Sequence, residues 1–203
     1  MDLKDINKLC ADIAENNDER ALSLLFKHFA PGLLVYIKSI VHNASAAEEL
    51  VGDVFIGMWK HRDILPSIRN LRYYLYTSAK NCALNYLRDN KKDIFTNVSL
   101  SDMGEEHSLF TYIIPESPEE NIQAALVKAV SMLPYKCQLI FRLSKEEHLT
   151  RTEIAQLLNI SVKTVENQMT IAYKKLHDSL RNVVPKTYQR EHSVKFSKNV
   201  LGG

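Results

Sequence analysis

Lys163, Asn167, Thr170 and Lys174 recur at i, i+4, i+7 and i+11, with Glu166 beside them. On a helix they form one row of two cations, an amide and a hydroxyl. Amides pair with adenine edges, cations with guanine edges or phosphates, and carboxylates with cytosine, so the row has the chemistry to read a duplex. A second row suits unpaired bases. Tyr74, Thr77, Asn81, Asn85 and Arg88 lie at 0, 3, 7, 11 and 14, with Tyr73 and Tyr76 nearby. Bases stack on aromatic rings and bond to amides along their exposed edges, while cations hold the phosphates. A third face sets Ile56 and Gly52 among Glu49, Asp53 and Lys60. An apolar residue among acids fits a docking surface. Each row also has a plainer reading: a solvated face, tyrosines covering a core edge, or an internal helix contact.

The elements that must position these rows are helical. Thr150 and Glu153 form a capping box that starts one helix, on which Ile154, Ala155 and Leu158 point inward. Asn159 tolerates the left-handed turn that ends it, and Ser161 can cap the next. There Val165, Met169, Ala172 and Leu176 form one inward stripe. Two short helices with a tight break make a helix-turn-helix, whose second helix would present the Lys163–Lys174 row to a groove.

Upstream, Leu3, Ile6, Leu9 and Ile13 mark a first helix. Asp18 caps a second through Leu22, Leu25, Phe26 and Phe29, restarted at Pro31 and carried on by Leu34, Ile37 and Val41. Ser45 and Glu48 make a capping box before the stripe Ala47, Leu50, Val51, Val54, Phe55 and Met58. The segment 61–70 holds Pro66 and breaks the pattern. A helix over 71–88 follows, with Leu75, Ala79, Cys82, Ala83 and Tyr86 inward. Residues 91–116 show no sustained period, and a structureless stretch of that length suits a boundary between domains. Ser117, Pro118 and Glu120 then start a second domain, with Ile122, Ala125, Leu126, Ala129, Val130 and Leu133 as its first core face. Pro134 ends that helix, and Cys137, Ile140 and Phe141 belong to the next. No β alternation appears. The fold class is therefore all-α: two small helical domains joined by an acidic linker, the C-terminal one ending in a helix-turn-helix.

Composition sets outer bounds. The chain has 203 residues and a net charge of +2, unevenly spread. Residues 1–92 carry 13 basic and 11 acidic groups, 93–119 carry six acidic and no basic, and 120–203 carry 13 basic and seven acidic. The C-terminal part favours a polyanion and the middle repels one. So mild an excess makes a weak autonomous DNA binder, because phosphate neutralisation supplies most non-specific affinity. A partner would contribute the rest. No apolar run approaches the ~18 residues needed to span a bilayer, and MDLKDINKLC lacks the basic-then-apolar pattern of a secretion signal, so neither feature is expected. Cys10, Cys82 and Cys137 are far apart and read as small buried hydrophobes, which suits a reducing cytoplasm. Without a metal-spaced cluster, a glycine-rich phosphate loop or a nucleophile context, we expect no catalytic residues, no metal, no cofactor and no small-molecule substrate. The chain is not expected to be an enzyme.

Together the segments AEELVGDVFIGMWKHR (47–62), YLYTSAKNCALNYLR (74–88) and ALVKAVSMLPYKCQLIFRLSKEEHLTRTEIAQLLNISVKTVENQMTIAYKKL (125–176) resemble the sigma-70 family of bacterial transcription initiation factors. The nearest pattern is that of the two-domain extracytoplasmic-function group, and the likeness covers roughly residues 20–182. It implies a region 2 domain over 1–92, an acidic linker over 93–116, a region 4 domain over 117–182 and a basic tail over 183–203. It implies core RNA polymerase and promoter DNA as partners, and it admits an anti-sigma factor, often membrane-anchored in relatives. Glu49, Asp53 and Ile56 match the part that docks on the polymerase clamp helices. Segment 64–71 matches the loop that captures a flipped base of the −10 element. Tyr74, Thr77, Asn81, Asn85 and Arg88 match the helix that melts and reads that element. Lys163, Thr164, Glu166, Asn167, Thr170 and Lys174 match the −35 reader. Gly52, Thr77 and Glu166 depart from the common pattern, which has polar or basic residues there. The acidic linker resembles a strand that threads the polymerase RNA channel. The alternative is a self-sufficient helix-turn-helix regulator with an N-terminal helical sensor; a helical adaptor with no nucleic-acid role stands third.

Overall fold

The computed structural model describes residues 2–90 and 118–180, and side chains over 2–90 and 125–179. Among the described residues the chain is helical throughout, without strands. The order is α1 (Leu3–Asn16), α2 (Glu19–Val41), α3 (Ala44–Lys60), a 3-10 turn (Arg62–Ser67), α4 (Leu71–Asp89), α5 (Pro118–Ser131), α6 (Tyr135–Lys145), α7 (Arg151–Leu158) and α8 (Val162–Leu180). The acidic linker and the basic tail lie outside the described residues, as does the Ser117 cap.

Caps punctuate the first four helices. Asp2 and Asp5 form a capping box on α1, a start the sequence reading passed over. Asn17 in the left-handed region ends α1, and the Asp18 carboxylate accepts from the Arg20 and Ala21 amides to begin α2. The expected restart at Pro31 is absent: α2 runs unbroken from Glu19 to Val41. Proline cannot bond to the Lys27 carbonyl, but Lys27 and Pro31 are both exposed, so water can take that role. The expected Ser45 box is also replaced. His42 turns the chain in the left-handed region directly after α2, and the Asn43 side chain accepts from Ala46. Asn and Ser cap equally well, and the immediate reversal at His42 selects the earlier one.

The N-terminal half packs α2 against α3 and α4, with α1 lying across the 3-10 turn. Leu25, Phe29, Leu33 and Ile37 of α2 are fully buried. Contrary to the expectation that no apolar run is long enough to span a bilayer, this helix is long and apolar enough by length and composition alone; here its apolar face packs in the core, with those four residues buried. Tyr36 and Tyr76 pack ring to ring, 5.3 Å apart. Some expected inward residues face out: Leu3, Phe26 and Leu126 are exposed, and Ile6, Cys10 and Ile13 form the true face of α1. Cys10 and Cys137 are buried, and burial pushes each thiol up to about 11. They behave as the small hydrophobes their context suggested.

In the C-terminal half, Ala129, Val130, Leu133, Cys137, Ala172 and Leu176 form a compact knot between α5, α6 and α8. Buried Gln138 donates to the Val130 carbonyl at 3.0 Å, fixing the turn at Pro134. The remaining core of α6, α7 and α8 is continuous with the N-terminal core.

Candidate nucleic-acid interface

The helix-turn-helix forms as its local chemistry dictates. Glu153 N donates to Thr150 Oγ1 at 3.2 Å, and the Glu153 carboxylate accepts from Thr150 N at 2.8 Å. Asn159 takes φ 54° and ψ 48°. Thr164 N donates to Ser161 Oγ at 3.0 Å, which starts α8. Val165, Met169, Ala172 and Leu176 are buried, so Lys163, Asn167, Thr170 and Lys174 are turned outward and exposed.

Two members of this row are committed locally. The Thr164 hydroxyl lies 2.8 Å from Ser161 Oγ inside the cap. The Thr170 hydroxyl donates back to the Glu166 carbonyl at 2.9 Å. Glu166 is half-buried, and its carboxylate lies 3.6 Å from Arg151 Nη1 and 3.5 Å from Lys163 Nζ. Arg151 opens α7, so Glu166 ties the first helix of the motif to the second. Sequence reasoning left out Arg151, because a lone cation at a helix start carries no signal of its own. Asn167 and Lys174 are exposed on the same face and are the clearest groove-facing groups.

On α4, Asn81, Asn85 and Arg88 are exposed, while Tyr74 and Thr77 are half-buried. The stripe therefore deepens toward the helix start. Arg88 Nε lies 3.5 Å from the exposed Asp89 carboxylate, a weak solvated pair. Lys80, also missed, is half-buried between Thr77 and Asn81 in sequence, and burial lowers its pKa. The 3-10 turn before α4 is held by Arg62, whose Nε donates to Asn17 at 2.6 Å and whose guanidinium stacks on Trp59. Leu65 is buried there and Ile64 is exposed, so the turn offers one apolar side chain from a fixed base. Asn70 caps α4 by accepting from Tyr73 N at 3.2 Å.

Glu49, Asp53 and Ile56 share the outer face of α3, all exposed, with Ile56 53% accessible. Asp53 is near enough to Cys82 to raise its thiol pKa, after burial, so this face adjoins α4. A Cβ at Gly52 would meet nothing within 4 Å. The described residues contain no cluster of His, Cys, Asp or Glu suited to a metal.

The chain resembles known proteins over much of its length. Residues 25–93 match the family description Sigma-70 region 2, and residues 123–176 match Sigma-70, region 4. Neither is a catalytic family. The chain is 25% identical over 169 residues to the ECF RNA polymerase sigma factor RpoE of Cereibacter sphaeroides, covering 83% of this chain and 91% of that protein. It is 23% identical over 148 residues to the ECF RNA polymerase sigma factor SigW of Bacillus subtilis, covering 70% and 79%. The solved structure described as CnrH in complex with the cytosolic domain of CnrY aligns with 88% of this chain and 98% of that chain, at 19% identity and a TM-score of 0.46.

Proposed function

The chain belongs to the sigma-70 family, in its extracytoplasmic-function group, and from that premise we propose how its surfaces divide the work of starting transcription. As a sigma factor it binds core RNA polymerase and directs it to promoter DNA. We assign residues 1–92 to core docking and −10 reading, 93–116 to the linker, 117–182 to −35 reading and 183–203 to a basic tail. On α3, Glu49, Asp53 and Ile56 meet the polymerase clamp helices. On α4, Tyr74, Thr77, Asn81, Asn85 and Arg88 hold the unstacked −10 strand, with Lys80 as an added phosphate contact. On α8, Lys163, Thr164, Asn167, Thr170 and Lys174 enter the −35 major groove. Glu166 acts through its pairing with Arg151 and Lys163, aiming its neighbours.

The observation that carries this reading is the outward projection of Lys163, Asn167, Thr170 and Lys174 from a helix whose opposite stripe is buried. The protein itself makes and breaks no covalent bond; capture of flipped bases offsets an unstacking cost of a few kcal/mol. The work takes place in the cytoplasm, where polymerase and promoter are. An anti-sigma factor is a further partner consistent with this group. The test is to reconstitute the chain with core polymerase on promoter DNA and map unpaired bases. Promoter-specific melting that needs the chain supports the assignment. Tight duplex binding by the chain alone at physiological salt favours the self-sufficient regulator instead.

A further inference from the structure

The turn that leads into α4 is braced from far along the chain. Arg62 opens the 3-10 turn, and its Nε donates to Asn17 Oδ1 at 2.6 Å across 45 positions of sequence. Its Nη1 donates to the Trp59 carbonyl at 3.0 Å, and the guanidinium lies 5.0 Å from the centroid of the Trp59 ring. One side chain thus ties together the α1–α2 corner, the end of α3 and the turn. Asn17 sits at that corner in the left-handed region, at φ 52° and ψ 40°, directly before the Asp18 cap of α2. It precedes residues 25–93, the stretch that matches region 2, so the support comes from outside the matched domain. We propose that Asn17 is a positioning residue for strand capture: from the end of α1 it holds Arg62, and through Arg62 it aims the turn that presents Ile64 ahead of the −10 reading helix.

This inference rests on the reading above, in which α4 holds the unstacked −10 strand and segment 64–71 borders it. A base drawn out of the stack costs free energy, and only contacts at the correct separation return it. The turn alone is a weak frame for such contacts, because 3-10 hydrogen bonds are poorer than those of an α-helix. Ile64 N donates to the His61 carbonyl at 3.2 Å, Ile68 N to the Leu65 carbonyl at 3.1 Å and Ser67 Oγ to the Ile64 carbonyl at 2.6 Å. Leu65 is buried beneath it, while Ile64, Pro66 and Ser67 are exposed. An anchor from another element therefore sets which way the turn faces.

The bond is poorly placed to stabilise the fold. Asn17 is exposed and Arg62 half-buried, so water replaces either partner at small net cost. Other groups seat the two elements: Ile6, Cys10 and Ile13 bury α1, and Leu65 buries the turn. What the bond adds is direction. A guanidinium is planar and carries its donors in a fixed fork, so two hydrogen bonds and a stacked ring hold Arg62 in one orientation. The acceptor end is fixed too, because the left-handed backbone at Asn17 is set by the end of α1 and the start of α2.

The test separates the acceptor from the backbone turn. Asn17→Gly keeps the left-handed conformation, which glycine adopts freely, and removes the acceptor. Asn17→Asp keeps a side-chain oxygen for Arg62 at a residue that also tolerates that conformation. Each full-length chain is measured for thermal melting, for binding to core polymerase, and for the rate at which thymines become permanganate-reactive with core polymerase on promoter fragments recovered by crosslinking. Asn17→Gly should keep the wild-type melting temperature and core affinity, yet open the promoter about tenfold more slowly, the loss suited to one hydrogen bond from a charged donor. Asn17→Asp should open it within about twofold of the wild-type rate, since the charge-assisted bond is kept. Opening by Asn17→Gly at the wild-type rate overturns the proposal. A loss that Asn17→Asp fails to restore overturns it as well, because the acceptor is then not the cause. So does an Asn17→Gly chain that loses stability and core binding along with opening, which marks the bond as structural only. A wild-type chain that opens no promoter is a different result: it refutes the proposed function itself and takes the positioning role with it.

Discussion

At the scale of single residues, promoter reading depends on which side chains are free to reach DNA. Asn167 is exposed at the centre of the α8 row. Asn167→Ala should cost about 1–3 kcal/mol of promoter discrimination if the amide makes a bidentate base contact, read as competition binding by the polymerase complex. An unchanged promoter profile would remove Asn167 from the site. Lys163→Ala should instead weaken binding evenly across sequences and lower the salt slope by about 1. Glu147 gives a pH signature. Its folded pKa is raised by burial, against the lowering influence of Tyr76, Arg72 and Arg142, with Glu146 adding to the rise. Its contribution to folding stability is full below the ordinary carboxylate pKa and is lost as pH rises through the raised value. His28, beside Arg72, has a lowered pKa from burial first, so it acts with the opposite sign and loses its contribution as pH falls below about 6.5. Glu147→Gln should delete the first limb and keep the second in a pH series of thermal melting. An unaltered series would show that Glu147 does not titrate with a raised pKa in the folded chain.

At the scale of elements, local caps and one unobstructed glycine tune helix stability. Thr150→Ala removes the hydroxyl that starts α7 and should destabilise the motif by about 1 kcal/mol, within a range of about 0.5–2. Thermal unfolding checks it. Gly52→Ala should do the reverse, because open space surrounds the position and alanine favours a helix interior by up to ~1 kcal/mol. A lower melting temperature would show that Gly52 is needed for close approach. The helix-turn-helix was legible from sequence because each of its signals is local: Thr150, Glu153, Asn159 and Ser161 act on their own neighbours. The outward faces of α3, α4 and α8 were legible for the same reason. Pro31 was misread because its effect depends on whether the Lys27 carbonyl can reach water, a tertiary fact. Asn43 and Ser45 are equivalent as caps until His42 fixes the turn. The roles of Arg151 and Lys80 needed the packed structure, since a lone cation on a helix has no sequence signature. The contact of α7 with α4 was not legible, because polar pairs such as Tyr73 and Gln156 lie 83 positions apart.

At the scale of the whole molecule, the two proposed reading surfaces lie in halves that share one continuous core, and a net charge of only +2 offers little phosphate neutralisation of the chain's own. The polymerase must supply both affinity and spacing. Asn81→Ala should therefore impair strand opening more than initial docking. Closed and open complexes can be separated by temperature and probed with permanganate; a defect confined to core association would refute that role. Neutralising Asp102, Glu105 and Glu106 in the linker should weaken core binding or initiation, since an acidic strand suits a channel built for nucleic acid. Unchanged behaviour in both assays would count against it.

The most direct measurement combines the purified chain, core polymerase and promoter fragments recovered by crosslinking, with unpaired thymines mapped by permanganate. The account predicts reactive bases near position −10 only when the chain and the polymerase are both present. Failure of the chain to associate with core polymerase, or tight and specific duplex binding without it, would contradict the account.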